Sequence, residues 1–176
     1  MPKPDNNREL ISTWVRRHVD RLNPASNVLD VACGNGRHAR YLAGLGHRVT
    51  ATDIDLSDAI KFTGDDAIEF VEHDLETSAW PFAKRRFGGV VVTNYLHRPL
   101  FPHLVSTLAP GGVMIYATFA AGNERFGRPR NPAFLLKPGE LLDIFAGDLR
   151  VVAYDHGQVN EPRPAMRQRL CAVRDS

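Results

Sequence analysis

Val28-Leu29-Asp30-Val31-Ala32 is an apolar run broken by a single acid, and it leads through Cys33 into Gly34-Asn35-Gly36. The segment that follows, Arg37 to Leu45, carries Ala39, Leu42, Ala43 and Leu45 on an inner side. A short apolar run bounded by glycines reads as a strand buried on both faces. A strand that turns on glycines into a helix opens a βαβ unit, and the rest of the chain keeps that rhythm. Strands are expected at His47 to Asp53, Ile68 to His73, Phe87 to Asn94 and Val113 to Phe119, the last after the turn Pro110-Gly111-Gly112. Helical stretches are expected around Asp58 to Phe62, at Leu100 to Leu108 and at Pro138 to Phe145. Such alternation predicts a parallel α/β sheet with right-handed crossovers. Leu149 to Tyr154 and Met166 to Val173 have no helix between them, so this last pair should run antiparallel. A first helix is predicted over about 7–22, with Leu10, Ile11, Trp14, Val15, His18 and Val19 on one face and Asn23-Pro24 ending it.

Length and charge narrow the function classes. The 176 residues suit a single domain, and 43% apolar with 24% charged residues is ordinary for a soluble globular protein. A net charge of +2 gives no reason to expect a nucleic-acid partner. The polar N-terminus lacks the apolar core of a signal peptide, and no apolar run approaches the roughly 18 residues that span a bilayer. Cys33 and Cys171 show no zinc or disulfide spacing, which points to a reduced, cytoplasmic setting. The histidines have no ligand spacing, so no metal is expected.

The chemistry sits around the glycine turn. Gly34 and Gly36 remove side chains where a ligand can lie against the backbone, and the helix starting at Arg37 offers free N–H groups. Asp53, seventeen residues after Gly36 at the end of the next strand, can accept both hydroxyl hydrogens of a ribose. Gly34 to Ala39 also fits the G-x-G-x-x-A form of a dinucleotide fingerprint. Asp30, an acid inside the strand, favours instead a ligand with positive charge, and no second domain of the kind a dehydrogenase needs is expected in a chain of this length.

The run Val28 to Asp53, with Asp74 after the third strand and Asn94 after the fourth, resembles the class I S-adenosylmethionine-dependent methyltransferases. Ala32 stands where their acid-x-Gly-x-Gly-x-Gly motif has its first glycine. Phe134 to Leu141 and Arg167-Gln168-Arg169-Leu170 are similar to the tellurite-resistance-type branch. The resemblance implies a Rossmann-like α/β fold: seven strands, mostly parallel, the last one antiparallel, with helices on both faces. It divides the domain into a cofactor-binding half, about 27–95, and a substrate-side half, about 96–176. The implied cofactor is S-adenosylmethionine, leaving as S-adenosylhomocysteine. Asp30, Ala32, Gly34 and Gly36 would line its methionine end, and Asp53 would hold the ribose. Ile54 would pack on the adenine, with Asp74 and the Leu75 backbone reading its edge. Asn94 and Tyr95 would stand beside the sulfonium.

The acceptor is expected to be a small molecule. RNA or protein methylation, or a nucleotide-binding sensor that transfers nothing, are the alternatives. Tyr95, His97 and Arg98 are the residues expected to face the acceptor: His97 as a candidate base, Arg98 as an oxyanion clamp. Each has a plainer reading. Asp74 can be a solvated turn residue, His97 can satisfy backbone groups where a helix starts, and Cys33 can be a small buried residue. The loop from Ala120 to Pro132, with Arg125, Arg128 and Arg130, reads as a solvated loop or as a lid over an acidic or aromatic acceptor.

Overall fold

The computed structural model describes residues 10–62 and 64–176. Its strands are β1 (Asn27–Val31), β2 (Arg48–Asp53), β3 (Ile68–Glu72), β4 (Phe87–Thr93), β5 (Leu108–Phe119), β6 (Arg150–Val159) and β7 (Ala165–Val173). They form one sheet in the order β3-β2-β1-β4-β5-β7-β6. Neighbours from β3 to β5 are parallel, while β7 is inserted antiparallel between β5 and β6. This is the seven-stranded arrangement that the resemblance implies.

Both faces of the sheet are covered, which explains why the central strands carry almost no polar residues. In β4, Val90 and Val92 join one apolar core with Phe101, Leu104, Leu141 and Phe145, supplied by α3 (Phe101–Thr107) and α4 (Glu140–Phe145). Val91 points the other way, toward Trp14 and Val15 of α1 (Thr13–His18) and Ala39 and Leu42 of α2 (Arg37–Gly44). From β1 the chain moves to β2 on one side, and β4 starts the other side of the sheet. Ligands of open α/β sheets bind in the crevice at such a switch point, beyond the carboxyl ends of the strands.

Most element ends shift by a residue or two from their expected spans, and the helix expected around Asp58 to Phe62 is a 3-10 turn over Ile60–Phe62; three further elements differ more. The first helix begins at Thr13, where Ser12 is the N-cap and its hydroxyl accepts from the Val15 N–H, and it tightens into a 3-10 turn over Val19–Arg21. Asn7 to Glu9, expected in that helix, lie outside the described residues. Strand β5 starts at Leu108, so the expected Pro110-Gly111-Gly112 turn is a bulge within the ladder. Gly111 adopts φ +76° there, and its N–H donates to the Arg174 carbonyl. Strand β6 runs on to Val159, because as an edge strand it keeps Asp155, His156 and Gln158 near solvent while pairing with β7. No helix among the described residues is long and apolar enough to cross a membrane.

Candidate active site

The glycine turn hangs from the end of β2. The Cys33 N–H donates to the Thr52 carbonyl at 2.9 Å, and the Gly34 N–H donates to Asp53 Oδ2 at 2.8 Å. Ala32, Gly34 and Gly36 all have left-handed backbone, at φ +54°, +57° and +76°. At Ala32 this conformation costs roughly 1–2 kcal/mol, strain held at the mouth of the crevice. The two glycines serve different ends. A Cβ on Gly36 would lie 3.3 Å from the Ala59 Cβ, so Gly36 lets the turn close on the segment after β2. A Cβ on Gly34 would meet nothing within 4 Å: it would project into open space.

Asp30 lies beneath this turn, 1% exposed, and neither carboxylate oxygen makes a well-formed hydrogen bond. Burial pushes its pKa up to about 7; the Arg37 guanidinium and the Ala39 backbone N–H pull it back part of the way. A buried acid with no well-formed hydrogen bond is costly unless something else supplies charge or hydrogen bonds. Burial and the carboxylates of Asp30 and Asp53 push the Cys33 thiol far up, so it stays protonated and is no nucleophile.

The carboxyl end of β2 places Asp53 and Ile54 at the rim, and Ile54 is a large apolar side chain left 63% exposed. Asp74 accepts from the Glu76 and Thr77 N–H groups at 2.9 and 3.2 Å and from the Thr77 hydroxyl at 2.5 Å. Those bonds hold its pKa down and define the turn after β3. Leu75 has its side chain in the core. The Tyr95 hydroxyl donates to Glu76 Oε1 at 3.3 Å; burial, the Glu76 charge, and the charges of Asp53 and Asp74 raise its pKa. Tyr95 therefore belongs to the acidic side of the crevice.

Asn94 directly follows β4 with left-handed backbone, φ +55°, and its Oδ1 accepts from the Arg167 guanidinium at 2.6 Å. Beyond it lies a cavity of about 690 Å³ under α1, bordered by Thr93, Asn94, Ala117 and Phe119 from the strand ends. Tyr95, His97 and Arg98 do not border this cavity. His97 is half-buried at the start of the 3-10 turn Arg98–Leu100. Arg98 makes four hydrogen bonds: two to the Glu140 carboxylate at 2.6 and 3.0 Å, one to the Ala133 carbonyl and one to the Leu135 carbonyl. Its guanidinium thus ties β4's exit to the segment before α4.

A model of the methyltransferase domain matches residues 28–112, the stretch holding the glycine turn, Asp53, Asp74 and Asn94. That stretch therefore matches a methyltransferase domain, and the fold is shared with S-adenosylmethionine-dependent methyltransferases of known structure. It is 30% identical over 130 residues to phthiotriol/phenolphthiotriol dimycocerosates methyltransferase 1 of Mycobacterium ulcerans, which covers 67% of the chain. The chain spans 46% of that relative's length. TehB from Haemophilus influenzae superposes with a TM-score of 0.73 at 19% identity, over 94% of this chain and 63% of TehB. The 1,6-didemethyltoxoflavin-N1-methyltransferase of Burkholderia thailandensis, solved with 1,6-didemethyltoxoflavin and S-adenosylhomocysteine, gives a TM-score of 0.66 at 19% identity, over 93% and 76% of the two chains.

Several residues that shape this candidate site were not singled out from the sequence. His38 is buried, accepts from the Ser12 N–H at 3.0 Å and lies 3.3 Å from the Thr93 hydroxyl. Burial lowers its pKa to about 3, so the neutral ring fastens the start of α1 to the end of β4. Asn123 is also buried; its amide donates to the Pro129 carbonyl and its Oδ1 accepts from the Met166 N–H, so the loop after β5 is anchored on β7. Arg125, Arg128 and Arg130 are exposed on that loop. Arg16, Arg37, Arg163, Arg167 and Arg169 line the cavity. They come from α1, α2 and β7 with the loop before it, and no local spacing marks them as a group.

Proposed function

We propose that this protein transfers a methyl group from S-adenosylmethionine to a small-molecule acceptor by direct in-line displacement. One observation carries the reading: the crevice at the β1/β4 switch point presents bare backbone at Gly34 beside the buried carboxylate of Asp30, neither oxygen of which makes a well-formed hydrogen bond. A cofactor with a sulfonium and an ammonium group fits that charge, whereas a pyrophosphate does not. Asp53 would hold the ribose, the exposed Ile54 would cover the adenine, and Asp74 with the Leu75 backbone would meet its edge. Asn94 would stand beside the sulfonium, and Ala32 with Gly36 would shape the turn beneath it.

S-adenosylmethionine supplies an already activated methyl group. What remains for the protein is to align the acceptor and exclude water, worth up to roughly 7–11 kcal/mol in the best-oriented systems. Asn94 and the cavity beyond it are placed for that task. In this reading Arg98 is a positioning residue, since Glu140 and two carbonyls engage it. His97 and Tyr95 contribute to the floor beside the cofactor, and no obligatory general base is assigned. A small acceptor suits a cavity of about 690 Å³. A cytoplasmic location accords with two free, buried cysteines.

Calorimetric titration with S-adenosylmethionine and with NAD tests the cofactor; binding of NAD alone overturns the proposal. Incubation with methyl-labelled cofactor and a fractionated metabolite extract should then give labelled small molecules. Label found only in RNA or protein fractions would refute the small-molecule acceptor.

A further inference from the structure

The two sides of Asn94 differ in charge. Toward β2 and β3 the crevice is acidic, with Asp30, Asp53, Asp74 and Glu76 grouped around Gly34 and Tyr95. Toward β5 and β7 the cavity is basic. Five arginines border it, and Glu161 is the sole carboxylate among its described lining residues. Asp155 sits outside that lining and pairs with Arg169 at 2.6 Å. No carboxylate pairs with Arg167 among the described residues. Its guanidinium lies 4.2 Å over the Phe119 ring and makes one hydrogen bond, to Asn94 Oδ1. Burial and the nearby Arg169, Arg37 and Arg163 lower its pKa to about 10.

Placing like charges together around a cavity is unfavourable unless an anion enters it. Arg167 has the fork geometry that suits a carboxylate or phosphate, and Arg163 stands at the junction with a second recess. That recess, about 340 Å³, has an apolar side of Phe119, Phe126, Pro164 and Ala165 and a polar side of Asn123 and Arg128, and it shares Phe119 and Arg163 with the first cavity. Apolar walls beyond a cationic anchor suit an acceptor that has a ring or other apolar body attached to an acidic group.

We infer that the methyl acceptor is an organic acid, its carboxylate or phosphate held by Arg167 and Arg163 in the cavity beyond Asn94 and its apolar part directed to the Phe119/Phe126 recess. The inference rests on the methyltransferase reading and names the acceptor class for the same site. A cationic donor and an anionic acceptor then occupy opposite sides of one side chain. Their mutual attraction draws the reacting partners together.

The test uses the whole chain saturated with S-adenosylhomocysteine and titrates benzoate, phenyl phosphate and the neutral benzyl alcohol. At least one of the two anions should bind, more weakly as salt is raised, and the arm that binds identifies the acid. Benzyl alcohol should bind at least ten-fold more weakly. Arg167→Gln and, separately, the exposed Arg163→Gln should each weaken the anion at least five-fold while S-adenosylhomocysteine affinity stays within two-fold. Retained cofactor affinity also shows that each variant is folded. Equal binding of benzyl alcohol, or anion affinity unchanged in both variants, overturns the inference. So does a loss confined to cofactor affinity, which would assign the arginines to the cofactor's own carboxylate. Failure of the wild type to bind S-adenosylhomocysteine at all would count against the methyltransferase reading instead.

Discussion

The Gly34 N–H donates to Asp53 Oδ2 at 2.8 Å, so the turn after β1 and the end of β2 are joined at the point where the cofactor is proposed to lie. One carboxylate oxygen holds the loop and the other faces the Asp55 N–H at the longer distance of 3.4 Å. Asp53 therefore shapes the crevice as well as its rim.

Removing it should act on both. Asp53→Ala is expected to weaken S-adenosylmethionine binding by about 1–3 kcal/mol, the scale of hydrogen bonds to a charged group. Titration calorimetry reads this directly, and unchanged affinity would place the ribose elsewhere.

Asp30 makes folding stability depend on pH in a particular sense. Its pKa is about 7 in the fold against an ordinary 3.8, so between those values the folded state binds more protons than the unfolded one. Stability from this group is full below about pH 4 and falls as pH rises to 7, then levels off. Asp30→Asn removes the titration. The stability of wild type minus variant, from urea unfolding without ligand, should drop between pH 4 and 7; a flat difference would contradict the buried, raised-pKa carboxylate.

Arg98 should matter to folding more than to cofactor binding. Arg98→Ala is expected to cost about 1–3 kcal/mol in unfolding free energy, because the Glu140 carboxylate loses its partner. A double-mutant cycle with Glu140→Gln should show coupling between the two. Full stability with lost turnover would restore the oxyanion-clamp role expected from the sequence.

For His97 the expected outcome is mild. His97→Gln should keep methyl transfer within about ten-fold, since an aligned acceptor needs no obligatory base and a positioned one contributes about 10²–10⁴-fold. A hundred-fold loss, with the acid limb of the pH–rate profile gone, would make His97 the base.

Much of the architecture was readable because burial on both faces leaves a plain trace. Val90-Val91-Val92 had to be a central strand, and the want of a helix between β6 and β7 foretold their antiparallel pairing. Element ends were less legible: Pro110-Gly111-Gly112 reads as a turn, and only the register with β4 and the bond to Arg174 make it a bulge inside β5. Arg98 looked available to a ligand because its partner, Glu140, is 42 positions away.

The proposed cofactor side of the site is local in the chain: Asp30, Gly34 and Gly36 follow from one strand, one turn and one helix, with Asp53 at the next strand's end, so the sequence alone determined that these residues come together. The basic cavity was decided by tertiary structure. Because β7 runs antiparallel between β5 and β6, its first residues reach the carboxyl edge of the sheet, where Arg167 pairs with Phe119 and meets Asn94 across 73 positions. Charges that gather only through strand insertion leave no periodicity or spacing behind, and a count of +2 for the whole chain averages them away.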